Sequence, residues 1–371
     1  MGRRRGWRDS RVLAAVGMAV ILALVVIQAP RLLAQPGNPQ YTVLDYGPMD
    51  DQGSVLRHIN GLREIAGGFR RPGSGKVAGA VVGGQQSQQE IRAGLGSGGE
   101  LSIAYGINDR GDVAGSFSGD TGVRPFRSNR GNAVRELPLL PGDTGGIAYA
   151  INGGGEAVGY SSGASGQRAV WWDGSGAVRA LPGSTGATGR ALGLNDRGDT
   201  VGTVGDDPRQ ATLWPGRGAA VTLPTLPTYT GAEAVSVNEG GTAVGFVVGG
   251  AGAPGRTRAV LWGPADRSVK DLGALPGGSD SRARDVSPDD RVVGVAASGA
   301  GDRAFVWTAA AGMVDLNTLV AAGGLVLVDA VSINRNGEIL AVGYEPGAAS
   351  GNHVHAAHER PRRVMVLVPV R

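Results

Sequence analysis

Cysteine is absent from all 371 residues, and histidine occurs only four times. The missing cysteine excludes thiol catalysis, thiolate metal sites and disulfide staples. A chain of this length can build a core without those staples. Charged residues make up 18% of the chain, below the usual quarter, and helix-periodic stretches are scarce past the N-terminus. Familiar catalytic motifs are missing too. There is no nucleophile elbow, no phosphate-binding loop and no zinc-binding helix signature. Gly-x-Gly strings such as Gly94 to Gly98 follow from composition alone. An acid/base pair of carboxylates could still assemble from separated segments, which a linear reading does not exclude.

What the chain has in quantity is glycine, 66 residues, and a repeat. Ile-Asn-x-x-Gly-x-x-x-Gly, or a near variant, is centred on Asn60, Asn108, Asn152, Asn195, Asn238, Ser287 and Asn334. The spacings are 48, 44, 43, 43, 49 and 47 residues, a period that marks an array of small similar units. Ile107 to Gly115 and Leu194 to Gly202 are the best-formed copies. Asn at the first position and Gly at the fourth suit a type I turn. The Asn side chain accepts from a backbone N–H two residues on, and Gly supplies the left-handed residue of a bulged hairpin. Short runs rich in β-branched and aromatic residues flank the turn, as strands do. The motif's last Gly, at Gly115, Gly159, Gly202, Gly245 and Gly294, falls inside the second strand. That placement signals a bulge or a close backbone approach.

Two further elements recur. Ala-x-x-Trp ends at Trp172, Trp214, Trp262 and Trp307, with Trp lost from the matching Arg124 to Arg127. These Trp residues read either as glycan-stacking platforms or, preferably, as packing between units with each N–H finding a partner. The other element is a short run ending in Leu before a Pro/Gly-rich loop, as in Val178 to Gly183. Four short strands per ~40–50 residues is the pattern of a propeller blade. The expected fold is therefore an all-β propeller of seven blades, each of four short antiparallel strands. Tyr41 to Gly47 and Val364 to Pro369 both match the Leu-ended element, so the N-terminal strand is available to close the ring and remove an exposed sheet edge. Three units are imperfect. Asn60-Gly61-Leu62-Arg63 lacks the fourth Gly and precedes a Gly/Gln-rich insertion, the sixth turn carries Ser287 and Asp290, and the seventh has two extra residues before Gly343. Six blades with a cap, or an open solenoid, are the alternatives.

The first 35 residues read as a separate segment, with the repeat domain spanning 36–371. Arg3, Arg4, Arg5, Arg8 and Arg11 precede an uncharged run from Val12 to Pro30. This is the order of a secretory signal. The run at 12–30 is long enough that an uncleaved membrane anchor is the alternative. Either way the repeats are expected outside the cytoplasm, secreted or anchored, because the positive flank stays inside. The leader also accounts for the net charge of +4. Without its six Arg and Asp9 the balance is 30 basic against 31 acidic residues. Basicity is thus no argument for nucleic-acid binding by the repeats.

Taken together, Ala148 to Gly159, Arg168 to Trp172, Arg258 to Trp262, Asp271 to Gly277 and Arg303 to Trp307 resemble the HAF-repeat family. His355-Ala356-Ala357 keeps that family's His-Ala start, where Arg stands in several middle units. The resemblance runs from about Tyr41 to the C-terminus and departs most in the first unit. It implies an extracellular setting and carries over no activity, cofactor or catalytic residue. Chromosome-condensation-regulator propellers fit less well, because no Trp-Gly precedes the turn Asn.

Three groups are candidate chemistry. His353, His355 and His358 cluster as potential metal ligands, although a strand start in the last blade explains them more simply. Asp109/Asp112 and Asp196/Asp199 resemble calcium-loop acids, but the same turn recurs without the first Asp. Arg110-Gly111-Asp112 and Arg197-Gly198-Asp199 spell a cell-adhesion tripeptide on turns that already require Gly. The expectation is a monomeric, non-enzymatic protein without a cofactor, presenting a surface to a protein or glycan. Variable loops such as Gly119 to Gly122, Gly163 to Gln167, Gly249 to Arg256 and Ala297 to Asp302 would carry that surface. A secreted glycan-active hydrolase or lyase is the alternative.

Overall fold

The computed structural model describes residues 40–49, 55–70, 77–83, 87–90, 101–119, 122–130, 134–184, 188–250, 255–321, 324–345 and 362–370. These residues form seven four-stranded antiparallel sheets. The first strands of blades one to seven are Val55–Ile59, Ser102–Ile107, Asp143–Ile151, Gly189–Leu194, Tyr229–Val237, Ser281–Val286 and Val326–Ile333. Each touches the first strand of the next blade, and the contact between Val326–Ile333 and Val55–Ile59 completes the cycle. The fold is a closed seven-bladed β-propeller with these strands around its axis.

Closure uses the N-terminal strand. Tyr41–Met49 pairs with Arg362–Pro369 as the outermost strand of blade seven. Blade seven thus takes its outer strand from the start of the chain and its other three from the end. Opening it would separate a full antiparallel ladder and expose the buried Tyr41.

The turns form as their residues dictate. Gly111, Gly155, Gly198, Gly241 and Gly337 all have φ between 75° and 86°. Arg63 (φ 63°) and Asp290 (φ 61°) hold the same left-handed position in the two imperfect turns. The asparagine Oδ1 accepts from the N–H two residues on, as Arg110 donates to Asn108 at 3.0 Å. It also accepts from the N–H four residues on, as Asp112 does at 2.9 Å.

The core lies in layers between blades. Val201, Ala211 and Leu223 of blade four pack with Ala232, Ala234, Val247 and Trp262 of blade five. The repeated tryptophans belong to these layers. Trp172, Trp214 and Trp262 are fully buried, and their indole N–H groups donate to Pro138 O, Pro182 O and Pro224 O at 2.7–2.8 Å. Each acceptor lies in the loop leading into that blade from the previous one. The Trp and the Leu-Pro step are therefore two halves of one contact. In blade two the Trp position is Ser128, and the buried Phe126, opposite Gly115, fills the layer instead.

Candidate functional site: the axial channel

A polar belt runs around the ring at the turns. The side-chain amide of each turn Asn donates to the main-chain carbonyl of the next unit's turn residue. Asn60 reaches Asn108 O at 2.9 Å, Asn108 reaches Asn152 O at 2.8 Å, and Asn152 reaches Asn195 O at 3.2 Å. Asn195 reaches Asn238 O and Asn238 reaches Ser287 O, both at 2.9 Å, while Asn334 returns to Asn60 O at 2.8 Å. Six of the seven junctions carry this bond, and the turn residues themselves are buried. The seventh cannot, because Ser287 has no amide.

That gap is bridged from the preceding residues. Asp285, two positions earlier, accepts from Ser236 Oγ of blade five at 2.7 Å and from Ser332 Oγ and Ile333 N of blade seven at 2.7 and 2.9 Å. It also accepts from Val286 N at 2.9 Å. Ser332 Oγ in turn meets Ile59 N of blade one at 3.4 Å. One buried carboxylate thus ties blades five, six and seven together at the junction without an asparagine. In the other blades this position is Gly, Ala or Ser, because the adjacent inner strand passes close by, except in blade one, where it is His58. A Cβ on Gly106 or Gly193 would come within 3.0 or 2.8 Å of a neighbouring carbonyl oxygen.

One residue further back, every inner strand has a bulge. In blade three Ala148 pairs with Gly159 and Ala150 with Val158, leaving Tyr149 unpaired. The equivalent residues are Arg57, Tyr105, Leu192, Val235, Arg284 and Val331. All seven line an axial cavity of about 200 Å³. The bulge explains the motif's last glycine. It pushes the inner strand's carbonyl toward the second strand, so a Cβ on Gly159 would lie 1.8 Å from Ile147 O, and one on Gly202 1.9 Å from Arg190 O. In blade seven the corresponding residue is Ala341, not Gly343. The hairpin has the ordinary length, with Ile333 paired to Ile339 as Ile151 is to Ala157, so the two extra residues expected before Gly343 are not an insertion. Gly343 stands beside a second bulge at Val328.

The channel residues carry distinct chemistry. Tyr105 and Tyr149 meet edge to face, with ring centroids 5.2 Å apart, and Arg57 lies over the Tyr105 ring at 5.0 Å. Burial, and after it the neighbouring Tyr160, raises the Tyr149 phenol above its ordinary value, so it stays a hydrogen-bond donor at neutral pH. Arg284 pairs with Asp329 at 3.1 Å. Burial raises the Asp329 carboxyl, and Arg284 opposes that shift.

The three candidate groups read from the sequence fall elsewhere. His353, His355 and His358 lie outside the described residues. Asp109 Oδ1 accepts from Gly61 N at 2.5 Å and its carboxylate pairs with Arg335, while Asp196 accepts from Gly153 N at 2.6 Å. These acids link neighbouring turns. In the adhesion-like tripeptides, Asp112 is held by Arg110 and Asn108, and Asp199 by Arg197 and Asn195. The channel ring was not among the sequence candidates. Its signal is present as the residue three before each turn Asn, which reads Arg, Tyr, Tyr, Leu, Val, Arg and Val.

A scan against protein-family models finds no match, and a search of curated proteins finds none either. Solved structures do match. A catalytically inactive virginiamycin B lyase from Staphylococcus aureus with quinupristin is 8% identical, with 89% of this chain and 100% of that one covered and a TM-score of 0.54. The β-propeller domain of the Trilobed protease from Pyrococcus furiosus is 9% identical over 85% and 93%, with a TM-score of 0.53. YCF48 bound to a D1 peptide is 12% identical over 92% and 99%, with a TM-score of 0.50. At such identities the likeness is one of fold, and it defines a propeller scaffold.

Proposed function

We propose that this chain is a non-enzymatic, extracytoplasmic propeller of the HAF-repeat type that binds a protein or glycan at its channel and the loops around it. The observation that carries this reading is the division of labour within each inner strand. Repeated Asn, Gly and Trp residues are committed to turns, bulges and contacts between blades. The seven residues that converge on the channel do not repeat. A rigid frame with variable chemistry gathered in one concavity suits recognition. The hydrolase or lyase alternative calls for two carboxylates facing one another. Asp285 is the single carboxylate among the described residues lining the cavity, and its oxygens already accept four hydrogen bonds.

The compartment rests on the basic and apolar leader. No helix among the described residues is long and apolar enough to cross a membrane. Cell fractionation with N-terminal sequencing of the mature chain tests this part. The binding part is tested by glycan arrays and by crosslinking to extracellular proteins. A saturable ligand released chemically unchanged supports the reading. Turnover of a polysaccharide or peptide, abolished by Asp285→Asn, replaces it with the alternative.

A further inference from the structure

The bulge residues divide the channel wall into three arcs. Arg284, Val331 and Arg57 come from blades six, seven and one, Tyr105 and Tyr149 from blades two and three, and Leu192 and Val235 from blades four and five. The wall is therefore cationic on one side, aromatic next to it and aliphatic opposite. Arg284 already has Asp329 as its counterion. Among the described residues no carboxylate stands against Arg57, whose guanidinium is exposed and rests on the Tyr105 ring. His58 lines the same cavity, and its Nδ1 is buried with no hydrogen-bond partner among the described residues. A buried polar atom without a partner is uncommon and marks a place for one. Both oxygens of Asp285 are occupied by four protein donors.

Size and polarity restrict the occupant. The cavity of about 200 Å³ is smaller than the ~300 Å³ at which drug-sized sites begin, and so takes a group of about one amino-acid residue. On the aliphatic arc the Leu192 and Val235 side chains offer sugar hydroxyls no hydrogen-bond partner. The geometry points to a binding site for a carboxylate carried on an apolar or aromatic body, with Arg57 receiving the carboxylate and the Tyr105/Tyr149 pair and Leu192 flanking the body. This rests on the binding reading above and names its ligand chemistry. Two sources share that chemistry, the C-terminal residue of a peptide and a free small acid.

Calorimetry on the mature chain tests it with four probes: acetyl-Ala-Ala-Phe as the free acid, the same peptide as its amide, 3-phenylpropionate and glucuronate. The free-acid peptide is expected to bind at least about tenfold more tightly than the amide, the difference a charge-assisted contact makes. Arg57→Gln is expected to remove that preference and Arg57→Lys to keep part of it. A thermal melt confirms that both variants fold. Phenylpropionate binding as tightly as the peptide assigns the site to small acids, and weaker binding assigns it to a chain end. Equal affinity for acid and amide, an unaffected Arg57→Gln, a preference for glucuronate, or no saturation by any probe overturns the inference. If the probes fail while an array ligand still binds, the binding reading stands and this inference falls. If a probe is consumed, the binding reading itself fails.

Discussion

At the turn end of six of the seven inner strands sits an asparagine that is buried, repeated and bonded to the next blade. Three residues earlier on the same strand sits a residue that varies from Arg to Val and lines the channel. The two positions lie three residues apart along one chain segment, the asparagine buried and the bulge residue half-buried or exposed. They differ in what their side chains must satisfy. The asparagine closes a hydrogen-bond circuit that fails if its chemistry changes. The bulge residue lines an open cavity, and its chemistry is not fixed by a bond repeated around the ring, although Arg284 does pair with Asp329. Repetition therefore marks structural duty here, and variation marks the freedom on which recognition can act. The junction at Ser287 supports the point: where the repeated residue is lost, another buried group, Asp285, takes over its work.

Substitutions can break this contrast, beginning with the largest effect. Trp214→Ala should cost about 4 kcal/mol, for the cavity left between blades three and four and for the lost bond to Pro182. Denaturant unfolding measures it. Asp285→Ala should cost about 3 kcal/mol, since it strands donors from three blades, and a loss below ~1 kcal/mol would deny its bridging role. Asn152→Ala should cost about 1.5 kcal/mol, and the same change at Asn195 should cost a similar amount if the belt is a circuit of equivalent links. Ser287→Asn runs the other way. It should restore the missing link and add about 0.5–1 kcal/mol to the unfolding free energy. At the bulge, Val235→Thr should shift stability by no more than about 0.5 kcal/mol, and a larger loss would show that the ring is structural after all.

Much of the frame was legible in the sequence because its causes are local. The period counted the blades, and even the units at Asn60 and Ser287 form the expected turn, with Arg63 and Asp290 accepting a left-handed backbone that Gly would adopt freely. The glycine at the motif's end signalled a bulge or a close backbone approach, and the structure has both, the approach at the glycine and the bulge on the inner strand beside it. The asparagine was legible only in part. Its Oδ1 bonds are local and readable, whereas its Nδ2 bond goes to a residue about one repeat away. The channel ring was missed for a physical reason. In a regular strand, residues three apart point to opposite faces. Here Ile151 and Ala148 are both buried, because the bulge at Tyr149 shifts the alternation. A period-two reading therefore misplaces Tyr149 and its six counterparts.

By itself the sequence determined the all-β class, the repeat length, the hairpin turns and the strand that could close the ring, since each follows from short-range backbone preferences and side-chain pattern. Only the tertiary structure decided how the ring is tied and what faces its axis. Those outcomes depend on groups more than forty residues apart meeting across blade junctions, and on a bulge whose effect appears only when seven inner strands surround one channel. The Asn belt, its repair by Asp285 and the gathering of Arg57, Tyr105 and Tyr149 are all consequences of closure, which no single repeat can achieve alone.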